Sequence, residues 1–466
     1  MTPENSGGNE AGPIKADEFV ALVTDEATFL AWNPKPIESL LTGEGRIRGL
    51  RVAIIVGESA RFQGPEGSAV ADRIVAAIEQ ASIKGLPLLV CPGPRGVEEK
   101  EGEPAFLVTL RIVAAIARHR AQRLPMIAYL RQGSDPALQP SWSSLAQFTF
   151  IEPSPSVTTD GPAGVDGPSG AAGHDGQASG VSENIDGALG TDGQVGMQQL
   201  PDTLERVLTI LRGRRADEPT SHSESFAGVT PSRTDALSRA RQRNRPGMMA
   251  LLRHGASNAI LLRGGPASSG RSALILALAR YGEMSCIVLG QDRRVQSGER
   301  GMDAASLGVL RRAMRLAQEL ALPLVTIIDS PTNTDPGVQG DEVQPDDTVL
   351  ALAELVMIPS PRVSVIMGEG SGEAALALLP ADRILAAENG WLSPTAKATG
   401  LGSPALLDTG RIDWIVPEFP DAAWEPQAFC ARIGWSLEHF LAELGAEDPA
   451  ARLEARLQRF GSSSTA

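Results

Sequence analysis

The sequence is poor in the two residue types that most often bind metals or build disulfide frameworks. Its 466 residues include three cysteines and five histidines. Cys91, Cys286 and Cys430 lie far apart, with no C-x-x-C pair and no histidine cluster beside them, whereas a zinc site needs several such ligands at short spacings. We therefore expect reduced thiols and no metal ion.

A surplus of basic residues is also missing. Lys and Arg number 42 against 56 Asp and Glu, which gives a formal net charge of -14 and argues against nucleic acid as a partner. The sequence has no uninterrupted run of about 18 apolar residues, the length of a membrane-spanning helix. Its start, "MTPENSGGNEAGPIKADEF", lacks the basic and apolar parts of a signal peptide. We expect a cytoplasmic protein with no membrane partner.

What the sequence does contain is a duplication. Three apolar segments of the first half have counterparts in the second: "RVAIIVG" and "SCIVLGQ", "KGLPLLVCPGP" and "LALPLVTIIDSP", "RLPMIAYLRQG" and "PSPRVSVIMGEG". The offset from Pro87 to Pro323 is 236 positions, and the offset from Pro125 to Pro361 is the same. A shared offset at two anchors indicates a duplicated domain.

Each copy alternates apolar strands with amphipathic helices. Four segments have apolar residues at the i, i+3, i+4 spacing of a helix: "AVADRIVAAIEQASI", "FLVTLRIVAAIARHR", "ASLGVLRRAMRLAQEL" and "TVLALAELV". The strands are near-continuous Val, Ile and Leu runs, which is typical of parallel sheets covered on both faces. The sequence therefore predicts two α/β domains in tandem.

The segment between the copies has a different composition. From Pro153 to about Met197 it is mainly Gly, Ser, Asp and Ala, with too few apolar residues to offset the entropy of ordering it. Glycine recurs at every third position from Gly161 to Gly176, but proline is sparse, so a flexible tether is favoured over a collagen-like triple helix. We predict four regions: an N-terminal segment 1–44, a first domain 45–152, a disordered Gly-rich linker 153–244 with one short helix, and a second domain 245–460.

The first candidate site is the glycine-rich end of a predicted strand in "VSVIMGEGSGEAALALL". Gly368, Gly370, Ser371 and Gly372 lie between this strand and a short predicted helix, whose N-terminal N–H groups can bind an anion or developing negative charge. An oxyanion-stabilising crevice needs only such amides. Tight turns that merely require glycine are the structural alternative.

Two other interpretations of this segment are weaker. A dinucleotide site would use Glu388 as the ribose-binding acid, but Glu373 replaces the third glycine of G-x-G-x-x-G. A hydrolase elbow, G-x-S-x-G, is excluded because Glu369 stands two residues before Ser371.

Two further glycine-bearing segments attract attention. In "IIDSPTNTDPGVQGDE", Pro336, Gly337 and Val338 follow a buried strand, and their amides can also stabilise an oxyanion. "GGPASSGRS", residues 264–272, is a phosphate-binding loop in outline, but Arg271 stands where that motif has lysine. Nucleotide binding here is the weakest of the functional hypotheses.

The second half contains "LPLVTIIDSPTNTDPGVQGDE" and "PRVSVIMGEGSGEAALALLPADRILA", and the first half contains "LRVAIIVGESARFQGPEGSAVADRIVAAIEQASIKGLPLLVCPGPRG" and "EGEPAFLVTLRIVAAIARHR". These four stretches resemble the carboxyltransferase component of biotin-dependent acyl-CoA carboxylases. The resemblance covers roughly residues 45–152 and 245–460, in the arrangement where β-like and α-like halves are joined in one chain. It implies two tandem crotonase-like (ClpP/crotonase) domains, with the active site between halves of two subunits of a homo-oligomer.

The resemblance also implies a reaction. A biotinylated carboxylase or carrier subunit supplies carboxybiotin, so no cofactor is tightly bound; CO2 leaves, the biotin anion removes the α-proton of an acyl-CoA, and the enolate attacks CO2. Pro336 and Gly337, with Val338, match the loop that holds the biotin carbonyl. Arg95 and Gly96 match the loop that holds the acyl-CoA carbonyl, with arginine where the family has glycine.

We expect an acetyl-CoA carboxyltransferase that forms malonyl-CoA for fatty acid biosynthesis. The alternative is a catalytically impaired paralogue that serves as scaffold or regulator of a carboxylase complex. Two departures from the family pattern keep this alternative open: Arg95, and the segment from Ser134 to Ala137, in which Pro136 has no N–H to donate.

Overall fold

A computed structural model describes the protein in thirteen stretches. They are residues 14–32, 40–57, 64–92, 103–131, 145–153, 192–213, 233–262, 272, 274–291, 293, 304–330, 345–393 and 400–461. Within these residues, no helix is long and apolar enough to cross a membrane.

The first half of the chain is built around a seven-stranded sheet. Its strands are β1 Leu30–Ala31, β2 Leu40–Ile47, β3 Leu50–Gly57, β4 Leu88–Cys91, β5 Met126–Leu130, β6 Phe148–Ile151 and β7 Gly193–Gln194, and its helices are α1 Ala16–Val23, α2 Gly64–Ile83, α3 Glu103–Ala121 and α4 Leu200–Leu211. The strands lie in sequence order, antiparallel from β1 to β3 and parallel from β3 to β7. Helices α2 and α3 connect consecutive parallel strands, as crossover helices do.

The second half is built around a nine-stranded sheet. Its strands are β8 Asn258–Leu262, β9 Leu274–Tyr281, β10 Met284–Gln291, β11 Leu324–Ser330, β12 Arg362–Ser371, β13 Arg383–Ala387, β14 Trp391–Ser393, β15 Leu401–Gly402 and β16 Trp414–Val416. Its helices are α5 Arg233–Ala240, α6 Met248–His254, α7 Ala304–Glu319, α8 Pro345–Met357, α9 Gly372–Leu378, α10 Ser403–Asp408, α11 Pro426–Ala446 and α12 Pro449–Gly461. The strands from β8 to β10 are antiparallel, and β10, β11, β12 and β13 run parallel.

The two sheets repeat the same register. Leu88 of β4 pairs with Met126 of β5, and Leu324 of β11 pairs with Arg362 of β12, so both partners recur 236 positions later (88 to 324, 126 to 362). The predicted strands are confirmed as β3, β4 and β5 and their counterparts β10, β11 and β12, and the four predicted helices are confirmed as α2, α3, α7 and α8.

The duplication extends to individual hydrogen bonds after the linker. The amide of Thr149 in β6 donates to the Asp192 carboxylate at 2.7 Å, and the amide of Ile384 in β13 donates to Asp413 at 2.6 Å. Strand β7 then pairs with β6 as β16 pairs with β13. Residues 192–213, which the sequence analysis assigned to the linker, are therefore part of the first half's fold.

The assignment of these residues to a linker rested on averaged composition, which hides short apolar elements. Helix α4 was predicted as a short helix within the linker, yet Leu204, Val207 and Leu208 are buried in a core shared with β8, β9 and β10. Helix α1 likewise lies within the predicted N-terminal segment 1–44 and buries Phe19 completely. Residues 154–191 and 214–232 of the predicted linker lie outside the described residues, and its last part contains a second helix, α5, where one short helix was predicted.

Helix α7 of the second half closes the end of the first sheet. Its Arg312 forms an ion pair with Asp192 at 2.7 Å and donates to the carbonyl of Gln147 at 3.2 Å. Glu319, at the end of the same helix, pairs with Arg120 of α3. Because these contacts are buried or half-buried, the two halves form one continuous structure.

Candidate active site

The carboxyl ends of β11 and β12 meet at one edge of the second sheet. Ser330 at the end of β11 is in register with Gly370, and the Ser371 hydroxyl donates to the Ser330 carbonyl at 3.3 Å. In parallel sheets, ligands bind at this edge. Pro336, Gly337 and Val338 are in the segment that continues from β11, and they lie outside the described residues.

Two of the predicted glycines lie inside strand β12. Gly368 and Gly370 are buried within the strand, and Gly370 is in register with Ser330 of β11 and with Leu392 of β14. A Cβ at Gly370 would lie 2.5 Å from Cγ2 of Ile328, closer than atoms can pack. Both glycines therefore lie inside β12, with Gly368 next to a register shift between β11 and β12, contrary to the expectation that their amides face outward at a helix N-terminus.

Ser371 and Gly372 lie where the strand ends and the predicted short helix, α9, begins. Both are half-buried. Gly372 has a φ of +75° and nothing within 4 Å of an added Cβ, so backbone conformation and not space requires glycine. A substrate-binding role for these two residues, and for Gly368 and Gly370, stays a prediction.

A buried ion pair that sequence reasoning did not anticipate lies against Gly368. Arg293, which follows β10, donates Nε to Asp329 of β11 at 2.8 Å, and a second bond joins its Nη2 to the same carboxylate. The two side chains are 4% and 0% exposed. Arg293 also donates to the carbonyls of Gln242 at 2.8 Å and Ala240 at 3.0 Å, which fastens the end of α5 over β10 and β11.

A second ion pair covers the next residue of β12. Arg241 donates Nε and Nη2 to the two oxygens of Glu369 at 2.8 and 2.7 Å. The Glu369 side chain is 1% exposed, whereas the Arg241 side chain is 46% exposed. The hydrogen bonds with Glu369 raise the pKa of Arg241 above its usual value. This bidentate pair also ties the chain after α5 to the end of β12.

Beneath these pairs, Arg245 and Glu418 are both fully buried. Arg245 donates to Glu418 Oε2 at 2.8 Å and to the Met367 carbonyl at 2.9 and 3.1 Å. Burial opposes ionisation of the Glu418 carboxyl, but the hydrogen bonds and positive charge of Arg245, together with hydrogen bonds from the Ala422 amide and the Asn389 side chain, outweigh it and lower the pKa of Glu418. Glu388, which a dinucleotide site would use, instead accepts the Glu418 amide at 2.9 Å.

The remaining predicted residues lie in segments that leave the first sheet. Arg95 and Gly96 follow β4, and Ser134 to Ala137 follow β5; all are outside the described residues. Because β4 and β5 are parallel, both segments start from the same edge of the sheet. The signal that finds this edge from sequence is the position of each glycine-bearing segment directly after an apolar strand.

The segment "GGPASSGRS" connects two strands of an antiparallel pair. Residues 258–262 of β8 pair with residues 276–280 of β9. A phosphate-binding loop instead opens a helix whose N-terminal amides face the phosphate. Residues 263–271 lie outside the described residues, but strand β9 follows them where the phosphate-binding motif has a helix.

Thiol and metal chemistry have no support among the residues that the structure describes. All three cysteines are free and buried, and burial raises the pKa of Cys91 and of Cys430 to about 12. In that part of the chain, no group of three or more His, Cys, Asp or Glu is placed to hold a metal ion.

Comparison with known proteins shows the same two halves. The carboxyl transferase domain family matches residues 15–156, and the acetyl co-enzyme A carboxylase carboxyltransferase-like family matches residues 214–398. The probable biotin-dependent acyl-coenzyme A carboxylase beta3 subunits of Mycobacterium bovis and Mycobacterium tuberculosis are each 37% identical over 496 residues, covering 96% of this chain and 98% of the relative. The chain belongs to the carboxyltransferase subunits of biotin-dependent acyl-CoA carboxylases.

More distant relatives of this carboxyltransferase subunit agree in architecture. The acetyl-coenzyme A carboxylase carboxyl transferase subunits beta/alpha of Salinispora tropica is 27% identical, over 91% of this chain and 82% of the relative. Transcarboxylase 12S shares the fold with a TM-score of 0.60 at 17% identity, covering 92% of this chain and 90% of that chain. The predicted pair of tandem crotonase-like α/β domains is confirmed.

Proposed function

We propose that this subunit transfers a carboxyl group from carboxybiotin on a separate biotinylated subunit to an acyl-CoA, with acetyl-CoA as the acceptor. The observation that carries the proposal is the near full-length similarity to beta3 subunits of biotin-dependent acyl-coenzyme A carboxylases. The sequence resemblance and the family description matched by residues 214–398 support acetyl-CoA as the acceptor. Association with a biotinylated partner and with further copies of the chain is part of the proposal.

In the proposed reaction, the N–carboxyl bond of carboxybiotin breaks, and CO2 and a biotin anion form. The anion takes the α-proton of acetyl-CoA, and the resulting enolate attacks CO2 to give malonyl-CoA. Two oxygens gain negative charge: the biotin carbonyl, assigned to the amides of Gly337 and Val338, and the thioester carbonyl, assigned to the loop with Arg95 and Gly96. Fixed N–H donors in a dry crevice stabilise such oxygens far better than water does.

The described residues would supply rigidity to this site. The pairs Arg293–Asp329 and Arg241–Glu369 hold the ends of β11 and β12 in place, and the loop with Gly337 starts at the end of β11. A positioning error of about 1 Å at such a site can cost roughly a hundredfold in rate. The ion pairs are thus positioning groups and need not touch the substrate.

The decisive assay is the reverse reaction, in which malonyl-CoA loses CO2 when free biotin is added. Gly337→Pro removes the amide donor and adds a ring beside the ligand, and loss of one such donor typically lowers the rate by about a hundred- to thousandfold. Ser134→Ala, in the first-half loop that departs from the family pattern, is the matched control and should change the rate little. Equal rates for wild type and Gly337→Pro would contradict the assigned loop.

The second candidate, an impaired paralogue that acts as scaffold, is favoured by Arg95 and Pro136. It predicts capture of a biotinylated protein from native cells together with no malonyl-CoA decarboxylation and no acyl-CoA carboxylation by the captured complex. If the complex carboxylates longer acyl-CoAs and not acetyl-CoA, the enzyme proposal stands and the acceptor assignment is wrong.

A further inference from the structure

Three buried arginines lie together at the amino end of β12, the edge of the sheet opposite the candidate active site. Arg362 begins β12 and is 0% exposed, while Arg452 and Arg456 of α12 are 5% and 1% exposed. The carboxylate that contacts the cluster is Asp382, 2.7 Å from Arg456 Nη2 and 3.8 Å from Arg452 Nε. Among the described residues, Arg452 and Arg456 thus contact one buried carboxylate, and the Arg362 guanidinium lies beside them without an ion pair to it.

Arg456 donates two hydrogen bonds to the Asp382 carboxylate. Its Nε and Nη2 donate to the two oxygens of Asp382 at 2.7 Å each, and the backbone amide of Arg362 donates to Oδ2, also at 2.7 Å. The remaining Arg456 donors reach the carbonyls of Val356, Ile358 and Ser360. Within the described part of the chain, the Arg362 guanidinium forms no ion pair of its own.

Two donor nitrogens of Arg362 are left over. Nη1 donates to the Leu355 carbonyl at 3.0 Å, whereas Nε and Nη2 are buried without a hydrogen-bond partner among the residues that the structure describes, as is Nε of Arg452. Burial and the nearby Arg456 lower the pKa of Arg362 to about 9, so the group still carries its charge at neutral pH. A buried cation with unsatisfied donors is costly unless an anion accompanies it.

The first half of the chain shows that the fold does not need this charge. Met126 occupies the position of Arg362, and Gln147 occupies that of Asp382. The Met126 amide donates to the Gln147 side chain at 2.8 Å, in the same way as the Arg362 amide donates to Asp382. Neutral residues thus form the same hydrogen bond from a backbone amide to a side chain.

We propose that the second half binds a small monovalent anion, chloride in the cell, at Nε and Nη2 of Arg362. A water molecule would accept hydrogen bonds from these donors but leave the excess positive charge. A halide ion accepts the same hydrogen bonds and also neutralises that charge. The site lies at the far end of a ten-residue strand from the candidate active site, about 30 Å away at roughly 3.3 Å per residue. It would stabilise the packing of α12 on the end of α8.

Thermal unfolding at constant ionic strength tests the proposal, with sodium chloride exchanged for sodium gluconate. We expect the melting temperature to rise by about 3 °C between about 5 and 500 mM chloride, as for a ligand that binds the folded state. Arg362→Met, which introduces the residue found at the equivalent position 126, should abolish the chloride response. Arg459→Met, on the same helix but paired at the surface with Asp413, should keep it.

Crystals soaked in bromide give an independent readout. We expect an anomalous peak within hydrogen-bond distance of Arg362 Nε and Nη2. Equal melting temperatures of the wild type in chloride and gluconate, or no bromide peak at Arg362, would overturn the proposal even if Arg362→Met fails to fold. Both readouts are independent of carboxyltransferase activity.

Discussion

Replacing Gly368 with alanine tests how the end of β12 is packed. An added Cβ would lie 2.0 Å from Arg293 Nη2 and 2.5 Å from Asp329 Oδ1. The guanidinium cannot simply swing away, because the Asp329 carboxylate and the carbonyls of Ala240 and Gln242 hold it in place. The substitution must therefore displace a buried ion pair.

The expected cost lies between two known effects. Overpacking of a core costs about 1–3 kcal/mol, and removing one partner of a buried ion pair costs about 3–5 kcal/mol. Because Gly368→Ala displaces the pair without removing a partner, we expect a loss of about 2–4 kcal/mol, or a fall of roughly 2–4 °C in melting temperature for a chain of this length.

Calorimetry and urea unfolding measure this loss, and malonyl-CoA decarboxylation with free biotin measures its effect on the site. Gly308→Ala is the matched control, since that glycine lies in α7 with nothing within 4 Å of an added Cβ. It should stabilise the helix by about 0.5–1 kcal/mol. If Gly368→Ala changes the free energy of unfolding by less than about 0.5 kcal/mol, the Arg293–Asp329 pair does not fix this edge.

Two further predictions concern the shared core and the glycine-rich connection. Asp192→Ala leaves Arg312 buried without its partner and should lower the free energy of unfolding in urea by about 3–5 kcal/mol. The loss should clearly exceed that of Asp413→Ala, whose partner Arg459 is partly exposed. Equal losses would mean that α7 does not close the first half. Simultaneous replacement of Arg271 and Ser272 with alanine should leave calorimetric titrations with ATP unchanged, because we expect no binding to the wild type; micromolar binding lost in the double variant would restore the nucleotide hypothesis.

The sequence by itself determined the duplication and the fold class. Apolar runs with a shared offset, such as those around Pro87 and Pro323, predict parallel strands, because periodicity and chain direction are local properties that burial on both faces imposes. The edge of the sheet that carries the candidate site can also be predicted from sequence, since the loops that follow parallel strands all start from one edge. Family membership was also readable from these strand ends.

Only the tertiary structure decided which residues fix that edge. The partners of Asp329, Glu369 and Asp382 come from distant positions in the chain, and no local pattern records that a carboxylate will be buried beside a particular arginine. The place of α4 in the shared core was hidden for a similar reason, because its apolar face packs in large part on β8 and β9 of the other half. Gly368 shows the limit most directly: its sequence suggests an anion-binding strand end or a tight turn, whereas the structure requires glycine there because a buried ion pair occupies the space of a side chain.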